Sequence, residues 1–493
     1  MINKKSKFLI SILIIILLTL NFCMVNAVPS APPGNLPDGM GGGPGGTPHE
    51  DSSSNISHAG VTTISEDTTK NDENYSSSES SVSALLVDGG TSTLNNITVT
   101  KTGDSDGDNS DFYGTNAAIL VKEGTLNINN STIETDGAHA NAVFAYSSGT
   151  ININDSTIKT KSNNSGAVMV TGGGTLTANN VTAETDGNSS APIRSDRGGG
   201  TLTVNGGNYT SHGTGSPVIY STADITVNNA NLVSTASEGV VVEGKNSVTL
   251  NNVTMEATNT KLNSNSETYK SIFIYQSMSG DAEVGTSSFT AKNSKIVNNK
   301  GEVIFVTNTN TVIELENNEI INNDKDGAFM KISASKWGNE GKNGGTVELN
   351  ATNQKITGDI LVDNISTLEM NLSNGSKFEG AINSSNSAKE INITLDSSST
   401  ITLTEDSYIT KLDNEVTDNS NINLNGHILY VNGEAITSTN YVENNDNTEV
   451  ENPNLELIKK LPTIKLITII TIAVIALVII FAVVFVVTKK DKK

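Results

Sequence analysis

The chain has 493 residues, with 31 Lys and Arg against 53 Asp and Glu, 35% hydrophobic residues, 4% aromatics, 43 Gly and one Cys. About a third of it is Asn, Thr or Ser, which with Gly are poor helix formers, so the composition argues against a helical protein and against several globular cores. A formal charge of −22 repels nucleic acid, so nucleic acid is set aside as a partner.

Residues 1–27 read as a signal peptide, with Lys4, Lys5 and Lys7, an apolar run from Phe8 to Leu20, and the small-residue site Val25-Asn26-Ala27. Cys23 lies within the segment removed, which leaves no thiol or disulfide chemistry in the mature chain. Residues 28–82 are Pro/Gly-rich and then Ser/Thr-rich, too poor in apolar residues to offset the entropy of ordering, and read as a disordered linker. Residues 83–440 form the repetitive ectodomain, and residues 441–465 an acidic linker. Leu466–Val487 is an uncharged stretch long enough to cross a bilayer as a helix. Residues 488–493 are a lysine-rich tail expected in the cytoplasm, so the chain is expected at the cell membrane as a single-pass protein with its ectodomain outside. Leu461-Pro462-Thr463-Ile464-Lys465 lacks the Thr and Gly that complete a sortase sorting signal, which makes covalent wall attachment a minor reading.

The middle of the chain repeats. Gly124-Thr125-Leu126-Asn127-Ile128-Asn129 recurs as Gly149-Thr150-Ile151-Asn152-Ile153-Asn154, then from Gly174, Gly200, Ala223 and Asn246, at steps of 25, 25, 26, 23 and 23 residues. A second apolar segment precedes each motif, as in Ala142-Val143-Phe144-Ala145 and Ala167-Val168-Met169-Val170. Period-two patterning broken by Gly, Asn and Asp predicts two or three short strands per unit. One unit cannot bury its apolar face alone. Stacking units as parallel coils aligns Leu126, Ile151, Leu176, Leu202, Ile225 and Val248 in one interior column. About twelve coils would make a rod of roughly 60 Å at roughly 4.8 Å per coil. Asn95, Asn129, Asn154, Asn179, Asn205, Asn228 and Asn251 occupy one position of successive units and predict a hydrogen-bonded corner ladder.

The 23- to 26-residue coil, the Asn ladder and the small polar turns resemble the right-handed parallel β-helix of the pectin-lyase-like superfamily. More narrowly, the chain resembles adhesin-like, Asn/Thr-rich surface proteins of prokaryotes. The resemblance implies an all-β, right-handed parallel β-helix; handedness comes from it and not from the periodicity. It carries little information on activity, because the superfamily spans lyases, hydrolases, adhesins and tailspikes.

Three places carry candidate chemistry. Arg194, Asp196 and Arg197 sit together and hold the only two arginines, but neither a Gly-His-Gly nor an Arg-x-Lys motif accompanies them. The expectation is therefore a non-enzyme, with a polysaccharide lyase or hydrolase as the alternative; the bland reading of the two arginines is a basic spot on an acidic rod. Asp104, Asp106, Asp108 and Asp111 place carboxylates that can converge on Ca²⁺. Asn109 and Thr115 break the EF-hand spacing, and a solvated acidic loop is the plain alternative. If Ile119, Val143, Val168, Val240 and Ile272 point inward, then Leu120, Phe144, Met169, Val241 and Phe273 point outward, with Tyr146 and Tyr275 beside them. Such a stripe is either an adhesive face for carbohydrate or protein on another cell or on the own envelope, or a surface covered by flanking loops. Trp337, in an insertion, reads as a loop anchor. The sequons at Asn55, Asn96, Asn130, Asn180, Asn208 and Asn392 would accept glycans on an exported rod.

Overall fold

The computed structural model describes residues 56–438, except 106 and 263–265. The signal peptide, most of the Pro/Gly-rich linker, Asn55, the acidic linker, the apolar C-terminal stretch and the tail lie outside the described residues. No helix among the described residues is long and apolar enough to cross a membrane.

The fold is an all-β parallel solenoid of about fifteen turns, several more than the repeat count predicts. At roughly 4.8 Å per turn the stack is about 70 Å long. Coiling begins earlier than expected. Gly60–Ile64, Thr68–Asn71 and Asn74–Ser77 already form a complete coil inside the stretch read as linker. Thr68–Asn71 and Asn74–Ser77 contain no aliphatic residue, so the apolar signal was absent. Each strand is ordered by pairing with the following coil, as in Thr68 with Ser92 and Asn74 with Thr98.

Each coil carries three strands. In the clearest copies, Thr150–Asn154 lies on the first face, Thr157–Thr160 on the second and Val168–Thr171 on the third. Pairing runs coil to coil in parallel register, with Leu126 against Ile151, Leu176, Leu202, Ile225 and Val248 in turn. The predicted interior column is therefore present, and Phe289, Ile313, Leu349, Met370 and Ile393 continue it. Its members are fully buried in one continuous core. Period-two alternation means that one shift of register would turn this column to solvent, so the register is strongly specified.

The Asn ladder forms as predicted. Each Nδ2 donates to the Oδ1 one coil earlier, from Asn251 through Asn228, Asn205, Asn179, Asn154 and Asn129 to Asn95, at 2.7–2.9 Å. Asn95 extends it to Asn71 at 2.8 Å. The left-handed backbone, however, belongs to the next residue, as at Asn96, Asn130, Asp155, Asn180, Asn229 and Asn252. The ladder Asn ends a strand and its successor makes the corner. This second column is partly laddered too, with Asn180 donating to Asp155 at 2.7 Å and Asn252 to Asn229 at 2.7 Å.

A third column lies inside. The Ser131 hydroxyl accepts from the Ile97 amide at 3.1 Å, and Ser156 from Ser131 at 3.0 Å. At the opposite corner Ser165, Ser190 and Ser216 each accept from an amide of the preceding coil at 2.9–3.0 Å. These hydroxyls satisfy corner amides that have no strand partner.

Two substitutions separate these devices. Asn154→Ala removes both ladder bonds of that residue and is expected to lower stability by about 1 kcal/mol. Gly149→Ala would drive a Cβ to 2.0 Å from the Val121 carbonyl oxygen, and should cost about 1–3 kcal/mol. Thermal unfolding followed by circular dichroism measures both; a smaller loss for Gly149→Ala would contradict this ranking.

Candidate functional site

The third face carries the outward stripe, and register builds it residue by residue. Leu86, Leu120, Phe144, Met169, Arg194, Tyr220, Val241, Phe273 and Phe305 stack in one outward column. Their direction agrees with the alternation argument, but their exposure does not. Leu120, Phe144 and Met169 are fully buried, and Val241, Phe273 and Tyr275 nearly so. Two satellite clusters result, outside the main core: Leu86, Ala117, Leu120, Phe144 and Met169 with Tyr146, and Val241, Phe273, Tyr275 and Phe305 with Tyr220 and Trp337. An open adhesive face on these residues is thus corrected to a covered one.

What covers it are segments that break the repeat. Between Asn95 and Asn129 the coil takes 34 residues, and the extra chain forms a short helix, α1 (Asp108–Tyr113). Tyr113 meets Tyr146 edge-on at 5.8 Å, and the Phe112 carbonyl accepts from the Thr171 hydroxyl at 2.7 Å. Trp337 packs at 5.0 Å from Tyr275, while its carbonyl accepts from Asn343 Nδ2 at 2.8 Å. It anchors its loop, as the sequence suggested.

Between the two apolar clusters lies a charged one, and it gathers the sequence candidates. Arg194 donates to Asp196 at 3.0 Å and lies 3.8 Å from Asp111, which pairs with His139 at 2.8 Å. Arg197 donates twice to Asp281, at 3.1 and 2.7 Å, and stacks over the Phe112 ring at 4.0 Å. Glu243, two strand positions after Val241 and so on the same outward face, accepts from the Tyr220 and Tyr275 hydroxyls at 2.5 and 2.8 Å and from the Ser277 hydroxyl. Asp111, Asp281, Glu243 and Tyr220 lie too far away in sequence for spacing to have found them. Arg194 is therefore a buried ion-pair partner rather than an exposed basic spot. Burial pushes the Asp196 carboxyl up to about 7 against the pull of Arg194, with Asp281 and Asp111 adding to the rise. Burial likewise raises Glu243 and lifts the Tyr220 and Tyr275 hydroxyls well above their ordinary range.

The acidic loop does not assemble as one cation cage among its described side chains. Asp104 accepts from the Ala138 amide at 2.8 Å, whereas Asp111 turns into the charged cluster. Asp106 and the Asp108 side chain lie outside the described residues. Of the sequons, Asn96 and Asn180 have Nδ2 engaged by Asp72 and Asp155, while Asn130 and Asn208 are exposed.

An open concavity lies at the corner between the third and first faces. It has a volume of about 730 Å³ and is lined from five consecutive coils, by residues including Gln276, Asn308, Asn310, Lys342, Asn364 and Lys389. On the coil spacing it runs about 19 Å along the axis. Two further off-period segments build its walls. The coil around Asn259 to Gly285 takes 41 residues, and that around Asp324 to Gly345 takes 36. One wall is braced by Gln276 Nε2 donating to the Ser277 and Ala282 carbonyls, the other by Asn343 donating to Ser335 and Trp337. Amides, hydroxyls, glycines, two exposed ammoniums and the aliphatic Val284 and Ile365 line it, with no carboxylate among them. Aperiodic insertions give no repeat signal, so sequence reasoning missed this groove.

Set against known proteins, the chain matches no family model, no curated protein and no solved structure.

Two outcomes follow from the cover and the charged cluster. Phe144→Asp would bury a carboxylate under α1 and should cost about 4 kcal/mol or more, read as a lowered unfolding midpoint in urea. Folded Asp196 keeps a proton that the unfolded chain has released between about pH 4 and 7. Its stabilising contribution is thus full below the unfolded value and falls as pH rises to about 7. Asp196→Asn should flatten the pH dependence of the thermal midpoint across that window; an unchanged slope would contradict the assignment.

Proposed function

We propose that this chain is a cell-surface β-helix protein, held at the membrane by its C-terminal apolar segment, that binds an extended carbohydrate chain without catalysis. The observation that supports this reading is the convergence of two off-period insertions on one open, carboxylate-free groove, on a chain with a net charge of −22. In solenoids, insertions that depart from the repeat often mark the binding face. Fixed amides and hydroxyls suit the alternating donors and acceptors of a sugar chain. Length along the axis lets many modest contacts add. Adhesin-like surface proteins, which the sequence resembles, work in this manner, and the ligand would lie on another cell or in the own envelope.

A second reading is a polysaccharide lyase or hydrolase using Arg194, Asp196 and Arg197. It draws on the raised Asp196 carboxyl beside an arginine, a combination found at functional sites. Against it, Arg194 and Asp196 are hydrogen-bonded to each other and both are buried.

Glycan-array binding by the purified full-length chain tests the first reading. Asn310→Trp, which fills the groove from an exposed position, should weaken binding at least tenfold without lowering the unfolding midpoint; unaltered binding would remove the groove as the site. Incubation with polygalacturonate and related glycans tests the second. Product formation that is lost in Arg194→Ala would overturn the non-catalytic reading.

A further inference from the structure

Away from both the groove and the covered cluster, the second face carries another constellation. Glu184 and Asp186 lie two residues apart as one strand ends, so both carboxylates project outward from the same edge. His212 follows Ser211, which pairs with Thr185, and this places its ring one coil on, beside Asp186. One ligand atom from each of the three residues lies within 4.8 Å of the others.

The imidazole is oriented from behind. The Thr235 hydroxyl donates to the Ser211 carbonyl at 3.2 Å, so its oxygen is left to accept from His212 Nδ1 at 3.0 Å. With Nδ1 donating to Thr235, the neutral ring presents an Nε2 lone pair. That lone pair faces Glu184 Oε1 at 3.3 Å. That contact is satisfied either by a proton on Nε2 or by a cation lying against both atoms. The separation is also the edge of a tetrahedron whose ligand bonds are about 2.0–2.1 Å, the values for zinc with nitrogen and oxygen donors. A hydrogen bond from behind that fixes the tautomer is the usual outer partner of a metal-bound histidine.

A positive charge already occupies the neighbourhood. Lys159 Nζ lies 3.3 Å from Glu184 and 3.6 Å from Asp186, held by the strand pairing of Lys159 with Glu184. The ammonium marks the place where the two carboxylates accept a cation. Its side chain is about a third exposed and ends a flexible four-carbon stem, so it can yield the place to an ion.

We propose that Glu184, Asp186 and His212 bind a borderline divalent cation of the zinc class, which displaces the Lys159 ammonium and joins two adjacent coils of the second face. Imidazole with two carboxylates is a donor set suited to zinc and cobalt rather than to calcium. Because the ligands come from two coils, the ion stabilises the folded stack by mass action.

The test uses the purified full-length chain, titrated with Zn²⁺ by calorimetry and with Co²⁺ by visible absorption. The expected result is one site per chain, weakened at least tenfold in His212→Ala and tightened about tenfold in Lys159→Gln, with a thermal midpoint that rises on adding Zn²⁺. Imidazole proton signals in the unsubstituted chain give a readout independent of any variant: those of His212 should shift or broaden with Zn²⁺ while those of His427 stay. Zn²⁺ binding equal in His212→Ala, binding seen only in Lys159→Gln, or His212 signals that respond to pH but not to Zn²⁺ would each overturn the proposal.

Discussion

The structure depends on one requirement, that every backbone amide and carbonyl of a coil find its partner in the coil before or after it. Parallel strands cannot pair within a coil, so no turn of this chain is stable alone. Everything else serves that stacking. The aliphatic columns keep the register, the asparagines bond along the corner, and interior serines take the amides that the strands leave over. A chain with few aromatics and abundant Asn, Thr and Ser is unsuited to a globular core, yet suited to this requirement. Thin coils need small corner residues more than bulk.

Where the repeat is kept, the chain is uniform; where it is broken, chemistry collects. The 34-residue coil supplies α1, which covers half of the outward stripe and sends Asp111 toward Arg194. The 41-residue coil sends Asp281 to Arg197 and raises one wall of the groove. The Arg197 side chain thus lies between Phe112 of one insertion and Asp281 of another, and the charged cluster fastens both to the rod.

The division between what was legible in sequence and what was not follows the same line. Leu126, Ile151 and Leu176 repeat at a fixed spacing, so their column could be read directly, and so could the ladder from Asn95 to Asn251. Phe144 and Met169 were rightly turned outward by alternation, but alternation carries no information about a helix contributed from another part of the coil. Asp281 and Arg197 are 84 residues apart, and no local pattern links them. Thr68–Asn71 carries neither aliphatic residues nor an inside–outside alternation, and it is ordered only by pairing with Ser92–Asn95 of the next coil. No local pattern singles out His212, because its partners come from the preceding and following coils.

The corner ladder also ends, and that ending divides the rod. At Asn251 the next coil offers Lys292 in place of an asparagine. There the position is bridged by charge, with Lys292 to Glu316 at 2.9 Å and Lys295 to Glu319 at 3.0 Å, while the neighbouring corner column keeps its amide bond from Asn317 to Asn293 at 2.8 Å. Amide ladders are indifferent to ionic strength, whereas exposed ion pairs weaken as salt screens them. The second face is itself interrupted a little further on, where Lys355–Thr357 starts a separate sheet. In a stack whose cohesion is the sum of neighbouring interfaces, such a seam is where one end can loosen while the other stays wound.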